Sequence, residues 1–254
     1  MSKIIAILGP TGVGKTDLSI KLAKELNAEI INCDSMQVYK EFNIGVAKIT
    51  KEEKEGIIHH MLDIVSVNDH FNAYDYQVMA RKIIEDLTNI SKNIIIVGGT
   101  GLYLKAVLYD YTFDEKENKN KKLYDFTLVA LTRPREELYD RINKRVDIMI
   151  ENGLLNEVKD LYDKNINTRA INTAIGYKEL YEYFDKHKTL DEALDKIRQN
   201  SRNYAKRQYT FFNNQFDNIN WFDTSIKSLD EITMEIINNS WYCSKGEVHG
   251  KTAK

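Results

Sequence analysis

Eight residues near the start of the chain, Gly9-Pro10-Thr11-Gly12-Val13-Gly14-Lys15-Thr16, fit the pattern G-x-x-x-x-G-K-[ST]. The pattern signals phosphate binding in one setting only: a strand must run into it and a helix must leave it. Residues 3–8 supply a short apolar run, and Lys15–Leu26 carries Leu18, Leu22, Ala23 and Leu26 at helical spacing. Glycines in such a loop let backbone N–H groups converge on phosphate oxygens at the positive end of the helix. Lys15 adds a point charge, and the Thr16 hydroxyl is suited to Mg²⁺. The expectation is a nucleotide or diphosphate site over residues 9–16. ATP does not follow from this alone. NTPases add an apolar strand ending in an Mg²⁺-positioning Asp, whereas Ile94-Ile95-Ile96-Val97 ends in Gly98-Gly99. Only Ile30-Ile31-Asn32-Cys33-Asp34 brings a carboxylate to a strand end.

The rest of the first half alternates in the same way. Strands are expected at residues 29–33, 93–97 and 125–132, and a long helix at 74–90. Apolar runs separated by helices predict an α/β fold, a P-loop NTPase-like parallel sheet flanked by helices. After Pro134 the chain reads as mainly helical to residue 214, then a strand at 220–222 and a helix at 229–239. Residues 1–243 are expected to form one core, with residues 244–254 a disordered tail and the polar stretch 114–122 an exposed connection. The 254 residues are 43% hydrophobic and 29% charged, which excludes wholesale disorder. No apolar run approaches a membrane span, and the run at residues 3–8 is too short for a signal peptide. Two cysteines, Cys33 and Cys243, make no disulfide framework or zinc set, so a cytoplasmic location is expected. The 36 basic and 38 acidic residues do not, as an average, advertise a nucleic-acid partner.

Asp34 follows the second strand, at the sheet edge where open α/β folds bind ligands. An Asp in that place serves equally as a helix cap. Its surroundings say more. Asp34-Ser35-Met36-Gln37-Val38-Tyr39, Gly45-Val46-Ala47-Lys48 and Gly98-Gly99-Thr100-Gly101-Leu102-Tyr103 resemble the tRNA dimethylallyltransferase family in order and spacing. The likeness continues through Leu138-Tyr139-Asp140-Arg141-Ile142, Arg145-Val146-Asp147-Ile148-Met149, Gly153-Leu154-Leu155-Asn156-Glu157-Val158, Ala174-Ile175-Gly176-Tyr177-Lys178-Glu179 and Ser201-Arg202-Asn203-Tyr204-Ala205-Lys206-Arg207-Gln208. The resemblance implies transfer of a dimethylallyl group from dimethylallyl diphosphate to N6 of the adenine beside the anticodon. It implies Mg²⁺ as cofactor and the anticodon stem-loop of tRNA as partner. Asp34 would accept the amine proton, Thr100 would contact tRNA near the reaction centre, and Arg145 would reach the diphosphate with Arg141 one turn earlier. Thr100 as a helix cap, and the two arginines as a solvated face, remain open alternatives.

The same resemblance assigns Ser35, Met36, Gln37, Tyr103, Gly176, Tyr177 and Lys178 to RNA contact. Residues 196–208 hold five basic side chains and no acidic one, with Arg198, Arg202 and Lys206 on one helical face. One part of the family pattern is missing. The family's helical insertion, which helps grip the anticodon stem, should separate residue 103 from the strand at 126, and only the 17 residues 109–125 span the gap. The chemical core is expected to be complete and the chain monomeric. Two other readings stay open: a transferase acting on free adenine nucleotides, and an RNA-binding relic without transfer.

Overall fold

The computed structural model describes residues 2–113 and 121–242, so the expected tail and most of the 114–122 connection lie outside the described residues. Strand β1 (Ile4–Leu8) is buried along its whole length, and its side chains alternate between two cores. Ile4, Ala6 and Leu8 enter one, and Ile5 and Ile7 the other. A strand buried on both faces must lie inside a parallel sheet covered by helices on each side. The other strands are β2 (Ala28–Asn32), β3 (His59–His60), β4 (Asn93–Val97), β5 (Phe126–Thr132) and β6 (Asn220–Asp223). Their order across the sheet is β3-β2-β4-β1-β5-β6, and every pairing is parallel.

Helices α1 (Lys15–Leu26) and α9 (Leu229–Tyr242) cover one face, contributing Leu18, Leu22, Ile232 and Ile236. Helices α2 (Ala73–Asn89) and α3 (Gly101–Leu108) cover the other with Tyr76, Ile84, Leu104 and Val107. A third core joins α4 (Arg135–Glu151), α5 (Leu154–Asp163), α6 (Arg169–Thr173), α7 (Tyr177–Phe184) and α8 (Leu190–Gln215) to the 38–42 loop. The expected helical C-terminal part is therefore a layer packed beside the sheet's carboxyl edge. All five expected longer strands and the two long expected helices form within two residues of their sequence bounds. β3 was not foreseen: two residues carry no period, and it forms because His59 and His60 pair with Ile30 and Ile31. Asn72 opens α2 with a reciprocal capping box to Asp75.

Candidate active site

The phosphate loop bridges β1 and α1 with Gly12 and Gly14 in left-handed backbone conformations, at φ 86° and 94°. Lys15 Nζ reaches back to donate to the Pro10 carbonyl at 2.7 Å. Burial pushes the Lys15 ammonium down to about 7, the nearby Arg145 charge adds to this, and Asp34 opposes it. Burial also lowers Arg145 from its ordinary value, again opposed by Asp34. Arg141, one turn before Arg145 on α4, donates from Nε to the Gly12 carbonyl at 2.9 Å, so it braces the loop from outside. Thr16 is exposed and lines the same cavity as Lys15 and Arg145.

Asp34 stands just beyond β2. Its Oδ1 accepts the backbone N–H groups of Met36 at 2.8 Å and Gln37 at 3.3 Å. The capping role and a chemical role are thus compatible: one oxygen fixes the carboxylate and the other is left to the cavity. Thr100 does not cap its own helix with its side chain. Its hydroxyl instead accepts from the Ser35 N–H at 3.0 Å, tying the β4 turn to the Asp34 turn. That turn can come so close because Gly98 lacks a side chain; a Cβ there would stand 2.0 Å from the Cys33 carbonyl oxygen. Cys33 itself is buried, which pushes its thiol up to about 12 and leaves it a packing residue.

A cavity of about 340 Å³ runs from Lys15 and Thr16, past Arg145, to Asp34, Ser35 and Gln37. On the far side of the loop it continues, through Lys15, Thr16 and Arg145, into a second cavity of about 820 Å³ along α1. The structure thus brings the phosphate loop and Asp34 to one cavity. Met36 and Gly176 also line it. Tyr103 lies nearby but is stacked on Tyr76 at 4.3 Å and buried. Tyr177 is buried too, its hydroxyl donating to Glu157 at 2.6 Å while its ring stacks on Phe42. Glu157 also accepts the N–H groups of Asn43, Ile44 and Gly45. Tyr177 therefore supports the Gly45-Val46-Ala47 wall from beneath, and Lys178 beside it is exposed. Arg198 pairs with Asp147 at 2.6 Å and Asp195 at 2.7 Å, and Arg202 donates to Asn143 at 2.6 Å. Both arginines are engaged with α4 or their own helix, while Lys206 is exposed.

The sequence model of the family described as IPP transferase matches residues 37–123 and 111–215. The tRNA dimethylallyltransferase of Bacillus subtilis (strain 168) is 43% identical, over 87% of this chain and 90% of the relative. The chain belongs to the IPP transferase family. The tRNA dimethylallyltransferase of Anoxybacillus flavithermus (strain DSM 21510 / WK1) is 41% identical, over 97% of each chain. Among solved structures, the tRNA delta(2)-isopentenylpyrophosphate transferase of Staphylococcus epidermidis superposes with a TM-score of 0.89 at 36% identity, covering 95% of this chain and all of the other.

Two lining residues of this IPP transferase, Gln208 and Arg207, stand in its motifs without a role of their own, and a third, Tyr204, stands among the aromatics close to the basic run at 196–208, where rings suit base stacking. Gln208 on α8 accepts the Thr11 N–H at 3.2 Å and donates to the Gly99 carbonyl at 2.9 Å, joining the phosphate loop to the β4 turn. Among the described residues Tyr204 is the one aromatic side chain that lines the 340 Å³ cavity. Its phenol is raised by burial and by the Asp34 charge, and lowered by a hydrogen bond with Thr100. Arg207 lies over the Tyr204 ring with its guanidinium carbon 5.7 Å from the centroid. The helical period puts Ser201, Tyr204 and Gln208 on one face, so a signal existed, but charge drew attention to the neighbouring face.

Proposed function

We propose that this chain transfers a dimethylallyl group from dimethylallyl diphosphate to N6 of the adenine 3′-adjacent to the anticodon in tRNA. The observation that carries the reading is one cavity with a phosphate loop and two cations at one end and a fixed carboxylate at the other. Lys15, the loop N–H groups and Arg145 would hold the diphosphate, stabilising charge as the allylic C–O bond breaks. The C–O electron pair leaves with diphosphate, N6 bonds to the allylic carbon, and Asp34 takes the N6 proton. Thr100 and Ser35 keep that carboxylate's turn in register with the loop. An adenine stacked on its neighbours in the anticodon loop cannot reach this depth, so it must be extruded into the cavity.

The residues present fit Mg²⁺. Among the described residues no three His, Cys, Asp or Glu side chains cluster as a metal cage. Mg²⁺ in phosphate sites takes only one or two protein oxygens, with the rest from phosphate and water, and the exposed Thr16 hydroxyl meets that need. When bound, the ion supplies positive charge to the leaving diphosphate. Among the described residues no helix is long and apolar enough to cross a membrane.

The shortened connection at 109–125 is supported by two observations. The family model's two matched stretches overlap at residues 111–123. The alignment with the A. flavithermus relative also runs over 307 positions, against 254 residues here. A smaller grip on the stem favours, as second reading, an adenine nucleotide as acceptor. The proposal is tested with labelled dimethylallyl diphosphate and an anticodon stem-loop RNA. The wild type should label the RNA; Asp34→Asn should not, while binding the diphosphate normally. Normal turnover by Asp34→Asn would remove Asp34 as the base.

A further inference from the structure

Three concavities meet end to end along α8. The reaction cavity is bounded on one side by Arg207. Arg207 also borders a groove of about 500 Å³ whose other walls include Asn203, Lys206 and Thr210. Lys206 and Thr210 in turn border a pocket of about 350 Å³ with Arg133, Arg135, Tyr139 and Tyr209. Among the described residues no acidic side chain lines the groove or this pocket, in a chain where acids outnumber bases 38 to 36. The contrast is with the 820 Å³ cavity, lined by Asp17, Glu25, Glu53, Glu55 and Asp230.

Some surface cations are paired, as Lys82 is with Asp86, Lys159 with Asp163, and Arg198 with two acids, and three of the four on the track are not. Arg135, Lys206 and Arg207 are exposed, and none of them enters an ion pair among the described residues. Arg133 shares Glu137 at 2.9 Å. Arg135 lies over the Tyr139 ring, 5.1 Å from its centroid. Exposed cations without counter-ions, set between aromatic rings, are what a polyanion with bases would meet.

We infer that this track carries the RNA backbone away from the reacting adenine, over Arg207 and Lys206 to Arg133 and Arg135. The inference rests on the reading of the chain as an RNA-modifying transferase. It gives the short 109–125 connection a physical counterpart: grip comes from the α8 and α4 surface of the core itself. It also differs from the charge stripe read from sequence, because Arg198 and Arg202 are already engaged and Arg133 and Arg135 come from another element.

The test is the binding of an anticodon stem-loop by fluorescence anisotropy between 50 and 200 mM salt. The double variant Arg135→Ala/Lys206→Ala should bind more weakly, with the loss largest at low salt and shrinking about threefold per lost contact over that range. Arg135→Lys/Lys206→Arg should keep wild-type affinity and salt slope, and Lys164→Ala, a cation away from the track, should do the same. Wild-type affinity and slope in the alanine variant would overturn the track while leaving the transferase reading intact. An equal loss in the charge-keeping variant would also overturn it, since charge would not be the cause. If the wild type transfers to no RNA at all, the parent reading falls first and the track with it.

Discussion

Binding of dimethylallyl diphosphate should draw a proton into the site, and the amount follows from Lys15. Its ammonium is held down to about 7 by burial and by the Arg145 charge. At pH 8 a group titrating near 7 is only about one-tenth protonated. A diphosphate in contact with it favours the charged form and restores a value near that of an ordinary lysine. Binding at pH 8 should therefore take up about 0.9 proton at Lys15, and binding at pH 6 only about 0.1, because the lysine is already charged there. Titration calorimetry in buffers of different ionisation enthalpy measures this uptake directly. Lys15→Arg supplies the reference, since a guanidinium stays charged throughout and contributes no uptake. The difference between the two proteins isolates the lysine from any proton that the diphosphate carries. The sign is fixed by the direction of the shift: a depressed lysine gains a proton on meeting an anion. Equal uptake by wild type and Lys15→Arg at pH 8 would refute the picture of a desolvated lysine waiting for its anion.

Two further substitutions probe the frame around the site. Gln208→Leu removes both bonds that join Thr11 to Gly99, and a loop displaced by about 1 Å can cost on the order of 100-fold; steady-state kinetics should show a lower kcat and a higher KM for the diphosphate, and wild-type values would deny the link. Tyr177→Phe deletes a buried hydrogen bond to Glu157 and should lower stability by about 1–2 kcal/mol in urea unfolding, whereas no change would mean that the Glu157 anchor does not need it.

The parallel sheet was legible because its signals are local. An apolar strand running into a glycine loop and then a helix leaves few alternatives, and β4 (Asn93–Val97) and α1 (Lys15–Leu26) begin and end where their patterns do. The meeting of Asp34 with the loop was legible at one remove, since the ends of parallel strands share one edge. What the pattern could not reveal is which helical face meets which neighbour. Residues 196–208 look like a free basic surface, yet Arg198 and Arg202 lie against α4 through Asp147 and Asn143. These partners sit 51 and 59 positions away, beyond any local period. Tyr177 illustrates the same limit. In a motif it reads as a contact residue, but the ring is stacked under Phe42, and only Gly45, where a Cβ would stand 2.5 Å from the Tyr177 ring, hints at so close an approach.

The central claim is that the cavity joins an allylic diphosphate to an adenine presented by RNA. Wild-type protein incubated with dimethylallyl diphosphate and either the anticodon stem-loop or AMP, followed by nucleoside analysis of each product, tests it most directly. The account predicts N6-dimethylallyladenosine from the stem-loop at the position after the anticodon, at a rate well above that with AMP. Transfer to AMP with an unmodified stem-loop would contradict it.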